Sequence, residues 1–102
     1  TLDAPDITSA VRDSGDPCGT VDYTIAAGAN NPGGTTYNVS MSTNRGAFSS
    51  IGTGLSVGAN SKSGLVKTST YSCEAISHNA NPLYVDSGFG SASGVSTFAG
   101  AC

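Results

Sequence analysis

Charge is what this chain has least of. Its 102 residues hold only four Lys or Arg and seven Asp or Glu, 11% charged in all, about half the usual share of a soluble domain. The four cations are scattered, and the formal net charge is −3. Phosphate recognition needs clustered Lys and Arg, so nucleic acid is excluded as a partner. Attraction to an anionic membrane surface fails for the same reason. No apolar run approaches the roughly 18 residues of a bilayer-spanning helix, which excludes membrane insertion by a helix. Tryptophan is absent, and His78 and Glu74 are the single histidine and the single glutamate. Three cysteines, Cys18, Cys73 and Cys102, stand too far apart for a zinc site, and no CxxC pair or second histidine assists them. The start, Thr1 to Pro5, lacks the basic and apolar character of a leader, and the missing initiator Met fits a processed or excised piece.

In place of charge stand Ser, Thr and Asn, together with 14 Gly. The length fits one domain, residues 1–102, with a thin core. No window repeats apolar residues at the helical spacing, and Gly, Ser and Asn interrupt every candidate. Short alternating runs appear instead, each closed by turn residues. They are DITSAV (Asp6–Val11), TVDYTIA (Thr20–Ala26), TTYNVSMST (Thr35–Thr43), AFSSI (Ala47–Ile51) and a polar run through GANSKSGL to Leu65. STYSCEAIS, with its strand from Thr70 to Ser77, and GVSTFA (Gly94–Ala99) complete the series. Alternation places Val21, Tyr23 and Ile25 inward on one strand and Tyr37, Val39 and Met41 inward on another. Tyr71, Cys73, Ala75 and Ser77 likewise share a face. About seven strands at this spacing predict an all-β sandwich.

Chemistry finds little foothold. His78 and Glu74 face outward on the strand reading, and no cleft is predicted in which two carboxylates could flank a sugar. DSGD (Asp13–Asp16) lacks the spacing of a calcium loop and reads as a solvated turn. GANNPGG (Gly28–Gly34) is glycine-rich but has no Lys to meet a phosphate. Asn38-Val39-Ser40 matches a glycosylation sequon on an outward face. The anomaly is NANPLYVDSGFG (Asn79–Gly90), a connecting segment that carries Leu83, Tyr84, Val85 and Phe89 where polar residues are the rule. Two readings stay open for it: an exposed contact surface, or an apolar plug folded back on the sandwich.

Leu65 followed by five residues and Tyr71, then an alternating strand ending Ser77-His78-Asn79, resembles the sixth strand of fibronectin type III domains. In that family a leucine closes strand E, and a tyrosine at the bend into strand F sends its hydroxyl back to the backbone. APDITSA looks like strand A, GTVDYTIAA like strand B and TTYNVSMST like strand C, although Ile25 stands where the family usually has Trp. The resemblance implies a seven-stranded, Greek-key, fibronectin type III-like or immunoglobulin-like β-sandwich, with Leu65, Tyr71 and Cys73 as fold-determining residues. Another small all-β sandwich or jelly roll is the alternative.

That topology also implies that Cys18, Cys73 and Cys102 lie near one end. Immunoglobulin-like pairing joins Cys18 to Cys73. The inward parity of Val21, Tyr23 and Ile25 turns Cys18 outward and favours Cys18–Cys102 instead, a closure contributing about 4 kcal/mol. A thiol paired between chains stays open. A disulfide in turn suggests an extracellular, cell-surface or virion setting. Together these features imply a non-enzymatic recognition or adhesion module with no catalytic residue, cofactor or metal. Its expected contacts with a protein or glycan surface are Asn30, Asn31, Leu83, Tyr84 and Phe89. The rival expectation is a structural subunit of a filament, pilus-like fibre or coat, assembling with copies of itself through the same loops and termini. An accessory domain of a carbohydrate-active enzyme is the third.

Overall fold

A computed structural model describes residues 2–16, 18–28, 30–66 and 69–96. Among them are seven strands and no helix: β1 (Asp6–Arg12), β2 (Val21–Ala26), β3 (Thr36–Thr43), β4 (Ser49–Leu55), β5 (Gly58–Lys62), β6 (Thr70–His78) and β7 (Ser93–Ser96). Two antiparallel sheets form, in the orders β1-β2-β5 and β4-β3-β6-β7. Aligned sheet packing of this kind buries one face of each strand and leaves the other to solvent.

The alternation read from the sequence sets that inner face. Val21, Tyr23 and Ile25 are buried on β2, Tyr37, Val39 and Met41 on β3, and Tyr71, Cys73 and Ala75 on β6, with Ile7 added from β1. Ile51, Leu55 and Leu65 close over this cluster from its rim. Ile25, where the family places Trp, is an ordinary core residue at 2% exposure. The central pairing, β3 with β6, runs unbroken from Thr36 opposite His78 to Thr43 opposite Tyr71. The β3–β4 hairpin turns through Asn44 and Arg45, both at positive φ, which matches the right-handed twist of the strands it joins. Asn44 Oδ1 also accepts the Thr70 N–H at 2.8 Å, tying the turn to the start of β6.

Tyr71 does at the β5–β6 bend what the resemblance implies. Its ring is buried, and its hydroxyl accepts the Val66 N–H at 2.9 Å and points back to the Val66 carbonyl at 3.4 Å. Leu65 N–H is held by the carbonyl of Gly19 at 2.9 Å, so the bend is fastened to the β1–β2 connection as well.

β4 differs from the sequence expectation. The alternating run AFSSI reads as ending at Ile51, before Gly52-Thr53-Gly54. One strand instead runs through the glycines to Leu55. It does so by bulging: β4 has an extra residue between the Tyr37↔Leu55 and Val39↔Gly52 pairs, and another between Val39↔Gly52 and Ser40↔Ser50. Gly54 takes φ +66, a conformation that costs glycine nothing. The last strand begins at Ser93, and the expected Ala99 end lies outside the described residues.

The sheet edges are blunted. β4 is bulged twice, β1 is bulged between Ile7 and Ser9, and on β5 the Asn60 side chain donates to the carbonyls of Ser56 and Gly58. Bulges and side-chain cover of this sort turn an edge away from a further strand. The edge at β7 is met by β1: Ile7 N–H donates to Ser91 O at 2.9 Å, Ser91 N–H to Asp6 Oδ1 at 2.9 Å, and the Ser93 hydroxyl to the Ile7 carbonyl.

Candidate functional site

One end of the sandwich is built as a hydrogen-bonded platform. Residues 2–5 lie between the β2–β3 connection and the β6–β7 connection. Leu2 N–H donates to Val85 O at 2.8 Å. Asp3 N–H donates to Asn31 Oδ1 at 2.8 Å, and the Asp3 carbonyl accepts from Asn31 Nδ2 at 3.1 Å and from the Ser77 hydroxyl at 2.7 Å. Asn31 Nδ2 also reaches Ser77 Oγ at 3.2 Å. Asn79 Nδ2 spans to Gly33 O and to Thr35 Oγ1 at 3.3 and 3.2 Å. The β2–β3 and β6–β7 connections therefore lie side by side, with residues 2–5 wedged between them.

The β6–β7 connection is braced along its whole length. Asn79 and Asn81 each cap the N–H two residues on, and Tyr84 N–H closes a turn onto Asn81 O at 3.1 Å, with Pro82 in the second position. Asparagine caps and a proline of fixed φ are turn chemistry in the strict sense. The return limb stays paired to β6 through Ser87 N–H to Ser77 O, Ser77 N–H to Ser87 Oγ, and Gly90 N–H to Ala75 O. His78 Nδ1 stands 2.7 Å from Asp86 Oδ1 across the neck of the connection.

On this fixed backbone the apolar side chains point outward. Leu83 is 85% exposed, Val85 60%, Phe89 52% and Tyr84 39%. They neither extend β6, which ends at His78, nor fold into the core. Asn30 is exposed too, its N–H held by Asp3 Oδ2 at 2.9 Å. Asn31 has a different place: it is half-buried, and its amide is spent on Asp3 and Ser77, which makes it a brace under the platform. Nothing in a single sequence separates the two neighbouring asparagines, because the partners of Asn31 are 28 and 46 positions away.

Beside this platform opens a pocket of about 390 Å³, lined by the Pro32–Gly34 turn together with Asn31, Thr35, Tyr37, Ser56 and Val57. Sequence reading missed it, since Val57 and the Pro32 turn approach only through the fold.

Elsewhere the chemistry is internal. Asp13 Oδ2 accepts the N–H groups of Gly15 and Asp16, and Asp16 Oδ2 accepts the Thr20 hydroxyl. Among the described residues no three His, Cys, Asp or Glu side chains come together as a metal site. Asn38 is half-buried on β3, with Oδ1 accepting the Gly54 N–H at 3.2 Å. Cys73 is a free, buried thiol, and burial pushes its pKa up to about 11. Burial, and then the neighbouring Cys73, raise that of the Tyr23 phenol. Cys18 is half-buried and partnered, while Cys102, its expected partner, lies outside the described residues.

The architecture defines the class: a fibronectin type III-like β-sandwich. It is similar to the solved structure of an Fn3-like protein from Clostridium thermocellum, with a TM-score of 0.70 and 23% identity over 92% of each chain. At that identity the likeness speaks for the fold. No family model and no curated protein matches the chain.

Proposed function

We propose that this chain is a non-enzymatic recognition module of an extracellular, cell-surface or virion protein, contacting a protein or glycan surface through the platform end of its sandwich. The observation that carries the reading is the pairing of exposed apolar side chains with a rigid backbone. Leu83, Tyr84, Val85 and Phe89 sit in water on a connection whose turns and neck are hydrogen-bonded. Exposed apolar residues grouped in this way mark contact surfaces. A connection already fixed loses little conformational freedom on binding, so more of its contact energy appears as affinity. The blunted sheet edges support the same view, because they turn away association by strand addition.

The reading includes a Cys18–Cys102 disulfide, which would fasten the chain's end to the β1–β2 connection and leave Cys73 as the single thiol. Thiol titration of the unreduced, denatured protein should then find one reactive group per chain. Finding three would remove the disulfide. The function itself is tested with Tyr84→Ala and Phe89→Ala. Both should leave the melting temperature within about 2 °C of the parent, since exposed sites contribute little to stability. Both should also abolish capture of the chain on cell-surface or glycan preparations that retain the parent protein. A large loss of stability, or unchanged capture, would show that these rings are not the contact.

A further inference from the structure

We infer that the pocket beside the platform binds a neutral sugar residue, held through the hydroxyls of Tyr37 and Ser56. The inference rests on the reading of this end of the sandwich as a contact surface, and between protein and glycan it selects the glycan.

The pocket lies where the two sheets part. The β2–β3 and β4–β5 connections both cross from one sheet to the other. Both cross at this end, where Ile25 pairs with Gly58 and Tyr37 with Leu55. The turn on one side of the pocket is fixed in place: the Thr35 N–H and hydroxyl both donate to Pro32 O, and Gly33 O accepts from Asn79 Nδ2. Gly34 takes φ +82 there, a turn conformation that suits glycine.

Tyr37 carries the assignment. It is only 4% exposed, yet its hydroxyl has no partner among the described residues, whereas Tyr71, also buried, spends its own on Val66. Among the described residues no side-chain oxygen sealed from solvent goes without a bond. The Tyr37 oxygen is therefore open to solvent, and the pocket is the opening that this residue lines. Buried phenols ordinarily find a hydrogen-bond partner, so this one is left for a ligand to supply. The Ser56 hydroxyl and the Gly33 and Gly34 N–H groups are likewise without partners among the described residues. Pro32 and Val57 add apolar surface beside them.

These groups select a chemistry. No charged side chain lines the pocket, so a phosphate, carboxylate or ammonium would lose its water with no counter-charge to meet it. A wholly apolar ligand would strand the hydroxyls and main-chain N–H groups. A pyranose matches both halves. Its hydroxyls donate and accept, as those of Tyr37 and Ser56 do, and its C–H face suits proline and valine. The volume, about 390 Å³, stands at the small end of the roughly 300–1,000 Å³ of ligand sites. That is room for a sugar ring and too little for a folded partner.

Amide NMR titration of the chain with glucose, galactose, mannose, fucose and N-acetylglucosamine, each to about 50 mM, reads this directly. At least one sugar should shift the Gly33, Gly34, Ser56 and Val57 amides saturably, with a Kd of about 1–10 mM. Tyr37→Phe should weaken that binding by about three- to tenfold. It should also melt within about 2 °C of the parent, because the lost oxygen bonds nothing inside the fold. Ser56→Ala, at an exposed position, should weaken binding by a similar factor. Glycerol, which offers hydroxyls without a ring, should produce no saturable shift. Silence from all of these sugars, a glycerol response equal to the best sugar's, or unchanged sugar binding in Tyr37→Phe overturns the inference. A large fall in the melting temperature of Tyr37→Phe does so too, since the hydroxyl would then have a partner within the protein. If no sugar binds while Tyr84→Ala and Phe89→Ala still abolish capture on surfaces, the inference fails and the proposed function stands. If a sugar binds and both ring variants are captured like the parent, the pocket is the contact and the rings are not.

Discussion

Replacing Tyr71 with Phe removes one oxygen atom and nothing else. The ring stays in the core, where it is 3% exposed. What goes is the acceptor of the Val66 N–H at 2.9 Å and the donor to the Val66 carbonyl at 3.4 Å. The second contact is long and contributes little. The first is a full hydrogen bond, worth about 1 kcal/mol net, with a further cost if the N–H stays dry. Val66 is 65% exposed, so water reaches its backbone in part and that further cost is reduced. The expected loss is about 1–2 kcal/mol. For a domain of this size each kcal/mol moves the melting temperature by about 4–8 °C, so Tyr71→Phe should melt roughly 5–12 °C below the parent. Urea unfolding followed by circular dichroism should show a lower midpoint with an unchanged slope. Amide exchange at Val66 should accelerate. Tyr84→Phe, at an exposed ring, is the control and should stay within about 0.5 kcal/mol. If Tyr71→Phe is as stable as that control, or if Val66 exchanges no faster, the bend is not held by this hydroxyl and the account of the β5–β6 connection is wrong.

A Cβ at Gly90 would overlap the backbone carbonyl oxygen of Pro5, so Gly90→Ala should pry β1 from the return limb and cost about 2–4 kcal/mol in chemical denaturation; an unaffected midpoint would mean that the two backbones separate freely. Asn31→Ala deletes the amide that joins Asp3 to Ser77 and should cost about 1–3 kcal/mol, with faster exchange of the Asp3 N–H. Cys73 ionises at about 11 in the folded chain against an ordinary 9.0. The folded state therefore holds its proton where the unfolded state has lost it. The resulting stability, about 2–3 kcal/mol, is complete below pH 9 and disappears as the pH rises from 9 towards 11. Tyr23, also raised by burial, adds in the same direction above its ordinary 10.0. Unfolding curves between pH 8 and 11 should show this decline, and Cys73→Ala should flatten it.

The inner faces of β2, β3 and β6 were legible because a two-residue period needs no knowledge of the neighbours: Val21, Tyr23 and Ile25 read as one face and pack as one. Leu65 and Tyr71 were legible through their resemblance to the corner of fibronectin type III domains, and the hydroxyl-to-backbone bond that the resemblance implies is found five positions away. β4 was not legible. Gly52 and Gly54 carry the chemistry of a break, and only the pairing with β3 turns them into bulges. The platform was legible in outline and not in detail. Its exposed apolar residues are conspicuous in a connecting segment, but whether they pack or protrude depends on Ser87, Gly90 and Asn79 finding partners on other elements. Asn31 shows the limit most plainly, since a polar residue in a glycine-rich turn looks the same whether it faces a ligand or supports the structure beneath one.

The way β1 straddles both sheets has a mechanical consequence. It is laddered to β2 in one sheet, while its first residues and the segment leading into it are stitched alongside the approach to β7 in the other, with Leu2 on Val85 and Ile7 on Ser91 running in the same direction. Tension applied at the leading end of β1 and directed along the strand does not peel these bonds one at a time. It shears both sets together, so the strand acts as a clamp, and the domain should resist stretching far better than its thin core alone would allow.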